Sequence, residues 1–273
     1  MTAALHAKLA RYERPERVLP YARALDDETR AAIFGTDVAG YDGAMEELAA
    51  QRDSAVAELA ADPDVRSNLA RWPGGAGAQV VAIGESTTAD RLSWFEILAA
   101  LVGGQRPDLS PRFENLAVSG STTTQAVAGL PALRRFEPDL VFCMLGANDA
   151  QRFGGPGGDR LVSADETARN LRRLRIAWRG AGAPRWVWLA PTPVDEAAIS
   201  AHPYLGGAGL SWTNDDVRRT ARLIAELAEP GDLVIDPADA AGMLSLDGDG
   251  LHPTPEAQIA VVRLVLARLA NQS

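Results

Sequence analysis

The chain has 273 residues, enough for one large domain or for one domain with a small appendage. Apolar residues make up 47% and charged residues 23%, the balance of an ordinary globular protein. The formal net charge of −9 disfavours nucleic acid and polybasic membrane attachment, both of which need a basic face.

In chain order, residues 1–72 read as a helical N-terminal extension. The start lacks a long apolar segment, and no run of about 18 apolar residues occurs anywhere, so the expected address is cytoplasmic. Lys8, the chain's only lysine, sits in a polar helix with no glycine-rich loop before it. That excludes a P-loop lysine, a pyridoxal Schiff base and a kinase-type strand lysine. Pro15 and Pro20 interrupt the next stretch, Asp26 or Asp27 caps a helix containing Ile33 and Phe34, and Asp42 caps one with Met45, Leu48, Val56 and Leu59 on one stripe. An extension this small is expected to pack on the larger domain, with substrate capping or dimerisation as alternatives. Residues 72–77, Trp-Pro-Gly-Gly-Ala-Gly, read as a linker.

From residue 79 to the C-terminus, apolar strands alternate with amphipathic helices. Strands are expected at 79–83, 112–117, 140–145, 185–190 and 233–235, and helices at 89–102, 123–135, 165–179, 214–227 and 255–269. Runs such as Val80-Val81-Ala82-Ile83 are apolar without alternation, as a parallel sheet covered on both faces requires. Repeated β-α units predict a doubly wound, three-layer α/β/α sandwich with a five-stranded parallel sheet, whose ligands bind at the carboxyl ends of the strands. Cys143 lies alone on the third strand, so no disulfide and no cysteine zinc site is expected. His6, His202 and His252 are too dispersed for a histidine-rich metal centre.

Four short motifs close successive strands or follow the last one. Gly84-Glu85-Ser86-Thr87-Thr88 puts a serine at the mouth of a helix, where N–H groups and a positive partial charge suit a developing oxyanion. A plain helix cap is the competing role. Thr88 stands where a Gly-x-Ser-x-Gly elbow needs glycine. Asn115-Leu116-Ala117-Val118-Ser119-Gly120 ends in a glycine whose N–H can approach an oxygen, and Gly146-Ala147-Asn148-Asp149 offers an amide donor beside a loop-holding carboxylate. Both also suit ordinary turns. In Asp249-Gly250-Leu251-His252-Pro253 the histidine is off any apolar face, and free imidazole, titrating near pH 6.5, makes a base at neutral pH. Asp249, three residues before His252, is the expected orienter, with Asp247 as competitor.

These blocks, in this order, resemble the SGNH (GDSL-type) hydrolase family from about residue 79 onward. The resemblance implies a flavodoxin-like fold, Ser86 as nucleophile, His252 as base with Asp249, and an oxyanion hole from the Ser86 and Gly120 N–H groups and the Asn148 amide. It implies no metal or organic cofactor. Glu85 departs from the family's usual Asp before the serine, and residues 1–72 fall outside the family core. The expected activity is hydrolysis of carboxylic esters of small molecules, with short acyl or O-acetyl groups suggested by family breadth. An acyltransferase using the same acyl-enzyme and a non-catalytic ligand-binding protein are the alternatives. Two segments can line the site, 151–160 and 194–212, and Arg152, Tyr204 and Trp212 are candidate substrate contacts, with Arg160 beside them; a surface loop with its aromatics packed on the fold and solvated arginines are the competing roles. His202 has no acidic partner at the right offset and is read as non-catalytic. Oligomeric state is not legible in the sequence.

Overall fold

The structure is a computed structural model that describes residues 3–18, 25–177, 182–240 and 245–272. Its strands in chain order are β1 (Gln79–Gly84), β2 (Arg112–Asn115), β3 (Leu140–Met144), β4 (Arg152–Phe153), β5 (Arg185–Leu189), β6 (Leu210–Ser211) and β7 (Leu233–Ile235). Five of them form a parallel sheet in the order β2-β1-β3-β5-β7, while β4 and β6 pair antiparallel outside it. The order reverses beside β1, so the crevice between the carboxyl ends of β1 and β3 is the topological switch point where ligands of such sheets bind.

The helices are α1 (Ala3–Tyr12), α2 (Pro15–Val18), α3 (Asp27–Ile33), α4 (Val38–Ala61), α5 (Pro63–Leu69), α6 (Ser86–Ala89), α7 (Trp94–Gln105), α8 (Thr123–Ala128), α9 (Leu130–Leu133), α10 (Ala164–Ile176), α11 (Glu196–Ala201), α12 (Asn214–Leu227) and α13 (Pro255–Ala270). The period-two geometry of a strand sends neighbouring side chains to opposite faces. Val81, Ile83, Val141, Cys143, Trp186 and Trp188 accordingly pack with Leu171 and Leu174 of α10 and Ile224 of α12. Val80, Ala82, Phe142, Val187 and Leu189 pack on the other face with residues of α7 and α13. Ala55 and Leu59 of α4, Val65 and Leu69 of α5, and Trp72 belong to that second cluster. Each fully buried aliphatic side chain of this kind stabilises the fold by about 1.5–3 kcal/mol.

Several boundaries differ from the sequence reading. The helix expected from residue 89 is split: α6 ends at Ala89, and α7 begins after Ser93, whose hydroxyl accepts the Glu96 N–H at 3.3 Å. The helix expected over 123–135 is split at Gly129 into α8 and α9. Asp37, not Asp42, caps α4 by accepting the Gly40 N–H at 2.8 Å; Asp42 lies inside the helix. Strand β2 stops at Asn115 because the side chain of Asn115 turns inward, donating to the Thr88 carbonyl and accepting the Ala117 N–H. Pro20 and the last residues of the helix expected over 165–179 lie outside the described residues. Among the described residues, no helix is long and apolar enough to cross a membrane.

Candidate active site

Ser86 leaves the carboxyl end of β1 as the first residue of α6, with Glu85 before it in extended conformation. His252 sits in the tight loop before α13. Asp249 Oδ1 accepts the backbone N–H groups of Leu251 and His252, each at 3.0 Å, an arrangement that folds the loop back on its own carboxylate. Gly250 has φ of +73°, and a β-carbon there would meet the Asp195 carbonyl at 2.6 Å, so this turn requires glycine. The loop brings the imidazole to the serine: His252 Nε2 lies 2.9 Å from Ser86 Oγ, and His252 Nδ1 lies 2.9 Å from Asp249 Oδ2. Asp247, the competing acid, faces Arg11 and Tyr12 instead, each at 3.3 Å from its Oδ2.

Asp249 is buried, with its side chain 2% exposed. Burial alone would raise its pKa, but the hydrogen bond and charge of His252, reinforced by Lys8, hold it well below the usual carboxylate range. It is therefore ionised at neutral pH.

The second and third strand ends complete the site. Val118 N–H bonds the Gly84 carbonyl at 3.1 Å, carrying the chain alongside β1 to the exposed Gly120, whose φ of +73° turns it back toward the sheet end. Asn148 is buried, and its amide donates to the Ser121 carbonyl at 3.1 Å, leaving its second N–H to other partners. Glu85 fixes the Asn148 backbone. Its two carboxyl oxygens accept the Ala147 and Asn148 N–H groups at 2.9 and 3.0 Å. Burial pushes the Glu85 carboxyl up to about 8, against the pull of those two donors. The Glu that departs from the family's usual Asp thus reaches across to the β3 loop. Asp149 holds the same loop from behind, accepting from the Thr123 N–H at 2.8 Å and the Thr167 hydroxyl at 2.7 Å.

Ser86, Gly120, Asn148, Asp249 and His252 therefore gather at one end of the sheet. The expected substrate contacts do not join them in the same way. Arg152 is ion-paired with Asp216, at 2.6 and 3.2 Å, and Arg160 faces the same carboxylate at 3.5 Å, so a protein acid holds both. Trp212 is buried and donates from its indole to the Ala147 carbonyl at 2.9 Å, which makes it a strut of the Asn148 loop. Tyr204 is 72% exposed and stands beside His202. Among the described residues, no group of three or more His, Cys, Asp or Glu side chains is arranged to hold a metal ion.

Lys8, Arg11 and Tyr12 at this site were not singled out as site residues by the sequence. Their spacing places them on one face of α1, and the lone lysine was the only signal.

Residues 82–258 match the model of the GDSL-like lipase/acylhydrolase family. The chain belongs to that family. It is a carboxylic ester hydrolase of the GDSL type, and its substrates are small-molecule esters. The matched segment of this GDSL-like acylhydrolase runs from β1 into α13 and contains all five gathered residues, but not α1. Solved structures show the same fold. An acetylxylan esterase, Axe2 of Geobacillus stearothermophilus, is 18% identical with a TM-score of 0.55, over 71% of this chain and 95% of that one. LAE5, an alpha/beta hydrolase enzyme from the metagenome of Lake Arreo, is 20% identical with a TM-score of 0.53, over 73% and 98%. TesA is 20% identical with a TM-score of 0.52, over 70% and 97%. A comparison with curated proteins returned no significant match.

Proposed function

We propose that the protein hydrolyses short-chain carboxylic esters, O-acetyl groups among them, through an acyl-enzyme on Ser86. The observation that carries this is the unbroken chain Ser86 Oγ–His252 Nε2–Asp249 Oδ2, with both links at 2.9 Å. A serine hydroxyl is a weak nucleophile until a base takes its proton, and the base needs an acid to fix its tautomer. His252 accepts the Ser86 proton as Oγ attacks the ester carbonyl. Asp249, ionised and buried, holds Nδ1–H and stabilises the imidazolium. The oxyanion of the tetrahedral intermediate is received by the Ser86 and Gly120 N–H groups and by the free N–H of the Asn148 amide. His252 then protonates the leaving alcohol, and in the second half-reaction deprotonates the water that releases the acid.

Ser86 is half-buried and Gly120 is exposed, an open setting that admits water for deacylation. One observation supports a short acyl group. A fold neighbour, Axe2, is an acetylxylan esterase. The test is hydrolysis of p-nitrophenyl acetate and longer acyl homologues, together with O-acetylated xylo-oligosaccharides, by wild type and Ser86→Ala. Turnover that declines with acyl length and falls by at least about 10³-fold in the variant is the expected result. Equal rates in the two proteins would overturn the assignment.

A further inference from the structure

Helix α1 ends on the hydrogen-bonded chain just described, although it lies outside the segment matched by the family. Lys8 Nζ is 2.8 Å from Asp249 Oδ2, the same oxygen that accepts His252 Nδ1–H. One turn further, the Tyr12 ring lies against the imidazole with centroids 4.6 Å apart. Arg11 fastens the helix between them. It grips the fully buried Asp90 with two hydrogen bonds, at 2.9 and 2.7 Å, and also reaches Asp247. Arg91 closes the dock, its backbone N–H donating to the Arg11 carbonyl and its side chain to the Ala10 carbonyl.

We propose that Lys8 is a positioning residue for the Ser86–His252–Asp249 site and that α1 is a fixed cationic wall of it. The inference rests on the reading of Ser86 as nucleophile and adds a residue that the family-matched segment does not supply. Its chemistry follows from the sharing of one oxygen. With Oδ1 held by two backbone N–H groups and Oδ2 by Lys8 and His252, the carboxylate cannot rotate away from the imidazole. The ammonium lies across that oxygen from the imidazole, so its charge acts on the imidazolium that forms when His252 takes the serine proton.

The charged and titratable groups facing His252 fit this role. From α1 come Lys8, Arg11 and Tyr12; from the segment after α6, Asp90; from the histidine's own loop, Asp247 and Asp249. Glu47 of α4 and His202 line the adjoining cavity of about 480 Å³. Arg11 is already divided between Asp90 and Asp247, so Lys8 is the cation that balances Asp249.

The experiment compares full-length wild type, Lys8→Met and Lys8→Arg by two readouts: the pH profile of kcat/KM on p-nitrophenyl acetate, and the NMR titration of the His252 imidazole, assigned against His252→Asn. Lys8→Met is expected to lower kcat about 3- to 10-fold and to move the acidic limb and the imidazole titration upward by about half a pH unit. Lys8→Arg is expected to restore both. A packing role alone would lower Tm or kcat without moving either pH readout. An imidazole titration unmoved in Lys8→Met overturns the proposal. If Lys8→Met does not fold, Lys8→Gln carries the same comparison. If wild type turns over no ester, the esterase reading fails by itself, and the imidazole titration still decides whether Lys8 acts on His252.

Discussion

Arg11→Met tests how α1 is held. The Asp90 side chain is fully buried and that of Arg11 is 16% exposed, and two hydrogen bonds join them across 79 positions of sequence. Burial works against the charge on Arg11, and Asp90 overcomes it, raising the guanidinium's pKa above its ordinary value. Burial also holds the Asp90 carboxyl above its ordinary range, so without Arg11 its charge is uncompensated and it is driven toward the protonated form; removing one partner of such a pair costs about 3–5 kcal/mol. The lower end applies here, because Asp90 keeps the Leu92 N–H at 2.8 Å. At about 2–4 °C per kcal/mol for a domain near this size, Arg11→Met should melt about 6–12 °C below wild type. Adding Asp90→Asn removes the stranded charge and keeps an oxygen for Leu92, so the double variant should recover at least half of the loss. Thermal unfolding followed by circular dichroism measures all three proteins. A single variant within about 2 °C of wild type would mean that the pair does not hold α1. A double variant no better than the single would show that the buried charge is not the source of the cost.

Other consequences follow from the same geometry. Asn148→Ala should lower kcat by about 10²–10³-fold with KM little changed, and a loss under about threefold would remove Asn148 from the oxyanion site. Glu85 has a pKa near 8 in the fold against an ordinary 4.5, so the native state keeps a proton that the unfolded chain has released between those values. Its contribution to stability is therefore full below about pH 4.5 and is lost as pH rises through about 8. Glu85→Gln, which cannot titrate, should flatten the fall in Tm between those limits; parallel curves would contradict the assignment. Trp212→Phe removes the indole donor from the Ala147 carbonyl, which keeps the Ala150 N–H at 3.1 Å, so it should cost about 0.5–1.5 kcal/mol and lower kcat through the Asn148 loop. Unchanged kcat would limit Trp212 to packing.

The sheet was legible because its strands bury both faces, which leaves an unbroken apolar run in the sequence, as in β3 with all five residues buried. The four short motifs were legible because each sits at a strand end or in the loop before α13, so strand prediction located them. Helix interruptions were not. Ser93 and Gly129 split predicted helices through local caps that an apolar stripe does not reveal. The protein partners of Arg152 and Trp212, Asp216 and the Ala147 carbonyl, lie 64 and 65 positions away, so the sequence does not display them. Lys8 was hidden for the same reason: Asp249 is 241 positions distant, and only the folded chain puts the two side by side.

Whether Ser86 carries the acyl group is decided by rapid-quench mass spectrometry during p-nitrophenyl acetate turnover. The expected result is a burst of p-nitrophenol and one acetyl group on the peptide that begins α6, at Ser86, with neither seen in Ser86→Ala. Turnover without any acylated peptide, or an acetyl group on another residue that persists in Ser86→Ala, would contradict it.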